Sequence, residues 1–418
     1  MRVELLTIGD ELLLGFTLDT NGPFLARALA AMGVTVTHRA SVGDDADAVA
    51  RAIREALDRT GAVITTGGLG PTADDRTREA VAAAFGTTLV LDDAIADGLR
   101  ALWRSRGFPG ELPASNLRQA MVPQGATVLP NAHGSAPGLW LEDARGRWVA
   151  MVPGVPREMR GMWGDTLEPR VRARFGAGTT VVRSRTVRTT GISESQLADD
   201  LGELARGVHG LPLAYLPGVE GVDLRVTATG FPPDETERRL TAAADALLAV
   251  AGPHAYGLDD TDLAAVVLAR CREKGLRLAV AESCTGGMLG MRLTAVPGSS
   301  DVLIGGVIAY DNVVKAAHLG VRALDIAEHG AVSELVARYM AHGARLRFGA
   351  DIGVAITGVA GPGGGTEAKP VGTVWVAADL RGEVRAVTRR LPGDRHEVRQ
   401  RAAQMALDLV RRGLEKGA

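Results

Sequence analysis

The stretch AVITTGGLGPTADDRT, residues 62–77, begins as an apolar strand and breaks into glycines before two adjacent acids. Gly67, Gly68 and Gly70 let the backbone turn tightly and approach a ligand closely. Successive exposed N–H groups in such a bend make a concavity for an anion. Asp74 and Asp75 follow with hard oxygen donors of the kind that suit Mg2+ or Mn2+. The same residue types also serve as plain loop chemistry and helix caps, so the surrounding sequence has to decide.

Upstream, VELLTIG (3–9) reads as a buried strand, and GPFLARALAAMG (22–33) as a helix with Phe24, Leu25, Ala28, Leu29 and Met32 at helical spacing. Gly33 stops that helix. VTVTHRASV (34–42) alternates as a strand, and DADAVARAIREAL (45–57) is helical with Val49, Ile53 and Leu57 on one face. With 62–68 as the third strand, the β-α-β-α-β order predicts a mostly parallel sheet with helices on both sides. RWVAMVPGVPREM (147–159) adds a further strand and a Pro/Gly turn. TIGDELLLG (7–15) carries Asp10 and Glu11, and VGDD (42–45) carries Asp44 and Asp45, at the C-terminal ends of two strands. Open α/β sheets bind ligands outside those ends, so three acidic clusters at one edge predict a metal–phosphate site.

A chain of 418 residues, 46% hydrophobic, predicts two or three domains with a sizeable core. A net charge of −2 gives no bulk attraction to nucleic acid or anionic membrane, and 4% aromatic residues leave little for base stacking. Cys271 and Cys284 lie far from metal-like spacing and make no disulfide framework. With no secretory h-region and no apolar span of about 18 residues, a cytoplasmic protein is expected, with no membrane partner.

Between about 175 and 255 the texture changes. VVRSRTVRTTG and VDLRVTATG alternate like half-exposed strands, Ser193 and Gln196 form a capping box, and ETERRLTAAADALLAVAG (235–252) is helical. This predicts a small α+β module. RGVHG (206–210) holds a G-x-x-G, the loop type with which some folds clamp RNA, but no helix follows it, so nucleic acid is not expected as a partner. A third unit begins near 254, with a helix at 262–275, strands at 276–282, 302–310, 351–357 and 372–379, and a closing helix at 396–414.

AESCTGG (281–287) lies where a strand turns into a helix. Ser283 or Cys284 does covalent chemistry there, or Ser283 and Thr285 only cap the helix. A serine needs a base, and Lys315 with Tyr310 in IAYDNVVK (308–315) supplies one if a turn converges on it. Unpaired N–H groups at Gly286 and Gly287 suit an oxyanion. Glu282 reads as a residue that orients the nucleophile or as a strand-end charge. In TGVAGPGGGTEAKPVG (357–372), Gly361, Gly363 and Gly364 suit close approach to a nucleotide and Lys369 a phosphate. Arg395 and Arg399, one turn apart at the start of the last helix, suit an anion or a surface ion pair.

GDELLLG, TNGPFLARAL, TTGGLGPTADD, GSAPG (134–138) and PGVPREM (153–159) resemble the molybdopterin-binding fold branch at the N-terminus of the competence/damage-inducible CinA proteins. AESCTGG, GGVIAYDNVVK, AITGVAGPGGGTEAKPVGTVW and GDRHEVRQRA are similar to the C-terminal domain of the same family. The resemblance implies an α/β chain in three parts. They are a three-layer molybdopterin-binding-like domain over 1–172, a small KH-like α+β module over 173–253 and a deamidase domain over 254–418. It implies a bifunctional enzyme of pyridine nucleotide salvage. One end would hydrolyse nicotinamide mononucleotide to nicotinic acid mononucleotide and ammonia, with Ser283 as nucleophile, Lys315 as base, Tyr310 as proton relay and Thr357 near the amide, and without a cofactor. The other would hydrolyse ADP-ribose with a divalent metal (Mg, Mn or Co). There Asp10, Asp44 and Asp75 are expected at the metal, and Gly67, Gly68, Gly70 and Thr72 at the substrate. Molybdopterin-binding relatives carry Thr in place of Leu69 and lack GPT, which argues against a role in cofactor insertion. A homodimer is expected. A regulatory or binding protein linked to competence or DNA repair, with one or both sites silent, is the alternative.

Overall fold

A computed structural model describes residues 2–175 and 180–415. The chain divides into two compact units, 1–183 with 228–237, and 184–227 with 238–418.

The first unit is built on a six-stranded sheet. Its order is Thr35–Val42, Arg2–Ile8, Ala62–Thr66, Trp148–Val152, Gly138–Glu142 and Thr127–Leu129. The first four strands are parallel and the last two antiparallel. Alternation along Arg2–Ile8 sends Val3 and Leu5 to one face, with Leu25 and Leu29 of the helix Asn21–Ala31, and Leu6 and Ile8 to the other, with Val49 and Ile53 of the helix Ala46–Thr60. Helices thus cover both faces, as the repeating strand–helix pattern predicts. Ala62–Thr66 is buried at every residue, which is why it reads as an apolar run without alternation.

Leu213–Pro217, Val222–Phe231, Val181–Thr189 and Ala255–Leu258 form a four-stranded sheet in that order, most of its residues in the second unit. The last of these strands, four residues long, has no sequence signal of its own and takes its place by pairing with Val187–Thr189. Ser193 caps the helix Glu194–Leu201 by accepting from the Gln196 amide, but the Gln196 side chain bonds Asp200, so only half of the capping box forms. Gly207–Gly210 closes a tight turn stitched by a Val208–Leu211 bridge, with a strand after it.

The remainder is a five-stranded sheet ordered Leu303–Ile308, Leu278–Glu282, Ile352–Gly358, Thr373–Leu380 and Glu383–Arg390. The first three are parallel and the last two antiparallel. Leu278, Val280, Val354 and Ile356 face the helices Leu263–Glu273 and Arg395–Glu415, whereas Ala279, Ala281 and Ala355 face Glu334–Phe348. The edge strand Glu383–Arg390 was not legible because half its residues are charged, a composition that guards an open edge against pairing with another chain. Among the described residues no helix is long and apolar enough to cross a membrane.

Candidate active sites

The parallel strands of the first unit end at a cavity of about 470 Å³ lined by the glycine bend, Glu11, Asn21, Asp44, Asp74 and Asp75. Gly67 has φ 107, and a Cβ there would fall on the Ile8 carbonyl oxygen. Gly67→Ala is therefore expected to destabilise the first unit by about 2–4 kcal/mol, read as an earlier urea transition. Not every amide of the bend is open to an anion. Gly67 donates to Val152 O at 3.1 Å and Gly70 to Asp75 Oδ1 at 2.7 Å. The Thr72 amide and hydroxyl also go to Asp75. Gly67, Gly70 and Thr72, expected at substrate, shape the loop instead, leaving the amides of Gly68 and Leu69 without an acceptor among the described residues.

Two contributors were missed. Arg78 is 2% exposed beneath the bend and donates to the carbonyls of Leu69 and Gly70, both at 2.8 Å. Burial pulls its pKa down, yet a guanidinium remains charged and sets a fixed cation under the loop. Asn21 donates to Thr66 Oγ1 and Gly154 O, while its own buried Oδ1 has no partner. The TNGP motif held that residue, but nothing in its spacing said that its carbonyl would be left over.

The expected metal trio does not assemble. Asp10 and Asp44 accept from each other's backbone amides, at 3.2 and 3.0 Å, lacing two strand ends together. Both Asp75 oxygens are taken by the loop. No three His, Cys, Asp or Glu among the described residues stand close enough to hold an ion by themselves. The donor chemistry does fit a hard cation that completes its shell with ligand oxygens. Asp44 faces the cavity, with its pKa raised by burial and by the neighbouring charges of Asp10, Glu11 and Asp74.

In the second unit the strand Leu278–Glu282 ends between two parallel neighbours. Glu282 is in register with Ile308 and Ile356, and the Ser283 amide donates to Ile356 O at 2.9 Å. Alternation carries Glu282 and Cys284 to the face of Leu278 and Val280, and Ser283 to the face of Ala279 and Ala281. Thr357 shares Ser283's face and donates to Ala331 O at 2.8 Å. Cys284 packs in the core, where burial pushes its thiol up to about 12. A thiol held protonated is a poor nucleophile, so the geometry favours Ser283 over its neighbour.

The helix that follows, Met288–Thr294, is capped by neither Ser283 nor Thr285. The Glu282 carboxylate, 1% exposed, accepts from the amides of Gly287, Leu289 and Gly290 at 2.8–3.0 Å. Gly286 N–H donates to Ser283 O. The amides of Gly286 and Gly287 are thus spent and hold no oxyanion. The amides of Cys284 and Thr285 have no acceptor among the described residues and are the donors left beside Ser283. Glu282→Gln turns one acceptor into a donor aimed at backbone N–H groups, and is expected to cost about 1–3 kcal/mol in a urea melt.

Lys315 sits on the helix Asn312–Leu319, which Asp311 caps. Its side chain is 1% exposed and donates to Tyr310 O at 3.1 Å. Burial pulls the ammonium pKa down, against the opposing pull of Asp311 and of Cys284, the residue next to Ser283. Tyr310 is not placed as a relay. Its ring is 62% exposed, and its Oη accepts from Arg395 at 2.9 Å. What meets Lys315 is its backbone carbonyl.

Arg395 also donates to Gly361 O at 2.6 Å, and Arg399 clasps Thr285 O with two nitrogens at 3.1 and 2.7 Å. Both guanidinium groups therefore ring the strand ends, where their charge reaches Cys284. Lys369 is turned elsewhere, donating to His329 O at 2.6 Å, and Gly363 and Gly364 lie exposed in the loop. The expected phosphate contact of Lys369 is therefore absent from this arrangement.

Three family profiles match in succession. They are "Probable molybdopterin binding domain" over 4–173, "Damage-inducible protein CinA KH domain" over 184–257 and "CinA C-terminal domain" over 260–414. A CinA-like protein of Gemmatimonas aurantiaca is 60% identical over 418 residues, spanning 100% of this chain and 97% of that one. Another from Gloeobacter violaceus is 44% identical over 411 residues, with 98% and 96% covered. Among solved structures, the competence/damage inducible protein CihA from Agrobacterium tumefaciens is 40% identical, covers 37% of this chain and 93% of its own, and has a TM-score of 0.36. Relatives alike from end to end, at 60% and 44% identity, and the three matched profiles show that the chain belongs to the CinA family.

Proposed function

We propose that the C-terminal domain hydrolyses the carboxamide of nicotinamide mononucleotide. The observation that carries this is a buried lysine whose charged form is disfavoured, beside the strand end that presents Ser283. Ser283 Oγ attacks the carboxamide carbon, and its proton passes to the neutral Lys315 amine. The Thr285 amide steadies the oxyanion. The C–N bond then breaks, Lys315 returns the proton to the leaving nitrogen, and ammonia departs. Water, deprotonated by Lys315, cleaves the acyl-serine and releases nicotinic acid mononucleotide. Arg395 and Arg399 take the substrate's phosphate. The test is ammonia release from nicotinamide mononucleotide by the full chain. No release above that of Lys315→Ala would leave the regulatory reading.

The N-terminal cavity is proposed for the diphosphate of ADP-ribose, with Gly68 and Leu69 amides and the charge of Arg78 facing the phosphates. A divalent cation, when bound, would neutralise the diphosphate and make it easier to attack. Asp44, with Glu11 or Asp74, would hold it. Adenosine monophosphate formation from ADP-ribose, with and without added Mg2+, tests this arm.

A further inference from the structure

We infer that the cavity beside the helix Arg395–Glu415, on the face away from Ser283, is a binding site for a phosphate-bearing mononucleotide. It measures about 630 Å³, large enough for such a ligand, and lies between that helix, the end of the strand Glu383–Arg390 and the turn at Thr190–Ser193.

Two donors without an acceptor among the described residues lie just behind the cavity wall. Gln404 is 3% exposed, and its Oε1 accepts from Arg292 at 2.8 Å while its Nε2 has no partner among the described residues. Arg401 Nε is likewise buried without an acceptor. A buried polar group left unpaired is costly, and a side-chain shift that brings it to a ligand acceptor removes that cost.

Charge specifies the ligand's sign. Arg412, also in the cavity wall, is neutralised by Asp408 at 2.8 Å, and Arg292 by Glu220 and Asp262. Arg389, Arg390 and Arg401 have no carboxylate partner among the described residues. Three uncompensated guanidinium groups around one cavity suit a phosphate, which accepts from several such forks at once. Met405 and Leu409, one and two turns along the same helix from Arg401, and Leu391 add an apolar surface for the flat base of a nucleotide and more than orthophosphate alone would use.

The test is calorimetric titration of adenosine monophosphate, and separately of orthophosphate, into the full chain. The wild type should bind the mononucleotide more tightly than orthophosphate. Gln404→Glu keeps the acceptor for Arg292 but puts a carboxylate where the free donor was, and Arg401→Gln removes one cation. Each should weaken one class of mononucleotide sites by about tenfold or more. Arg390→Ala, a solvent-facing change that leaves the core intact, should weaken it a few-fold. Equal binding by the wild type and all three variants overturns the proposal, as does no binding by the wild type at millimolar concentration. Orthophosphate binding as tight as the mononucleotide overturns the assignment of the base.

Discussion

Replacing Ser283 with alanine is expected to lower ammonia release from nicotinamide mononucleotide by on the order of 10⁴-fold or more. The rival groups are committed elsewhere: the Cys284 thiol is turned into the core and held protonated, and the Thr357 hydroxyl, on Ser283's face, donates to Ala331 O. No neighbour takes over. The substitution removes one oxygen from a residue 9% exposed and leaves the backbone bond to Ile356 in place, so stability should hardly change. ADP-ribose hydrolysis should persist, since every residue assigned to it lies in the other unit. Loss of both activities together would reject independent sites. Undiminished ammonia release would remove Ser283 from the reaction.

Lys315→Met is expected to lower kcat/KM by about 10²–10⁴-fold, the usual range for a lost general base. Methionine keeps the apolar stem and removes only the titrating end. The reading also fixes a pH signature. Burial makes the folded chain bind a proton at this amine less readily than the unfolded chain, whose reference value is 10.5. Between the lowered folded value and 10.5, the unfolded state carries more protons, and stability rises with pH. Below the lowered value both states are protonated, and the burial penalty is present in full. Lys315→Met lacks that penalty, so its advantage over wild type in urea midpoint should shrink as pH rises from neutral toward 10.5. Wild-type kcat/KM should climb through the lowered pKa as the amine becomes neutral, and the residual rate of the variant should lose that limb. A stability difference that stays flat with pH would mean that the amine feels water.

The sheet frameworks were readable because their central strands are apolar runs and their helices keep one apolar face, as with Val49, Ile53 and Leu57. The strand-end rule then pointed to both candidate sites, with Asp44 at one and Ser283 at the other. Commitments made only in three dimensions were not readable. Glu282 looks like any strand-end charge until the helix behind it delivers three amides to its oxygens. Tyr310 looks like a relay until Arg395 arrives from 85 residues away to bind its hydroxyl. Gly67 and Gly70 look like open donors until Val152 and Asp75 claim them. Each of these is a bond whose partner lies outside the motif, or whose direction spacing does not fix.

The buried Glu282 carboxylate has one further effect. The start of a short helix behind a small-residue bend is where many α/β proteins receive a phosphate. In this domain that berth is stoppered by the chain's own acid, so a mononucleotide finds no welcome for its phosphate there. On the function proposed above, the phosphate goes to the rim of guanidinium groups on the long terminal helix, and the pyridine ring is left as the end that reaches inward. On that proposal, a residue that never meets the substrate sets the polarity of docking.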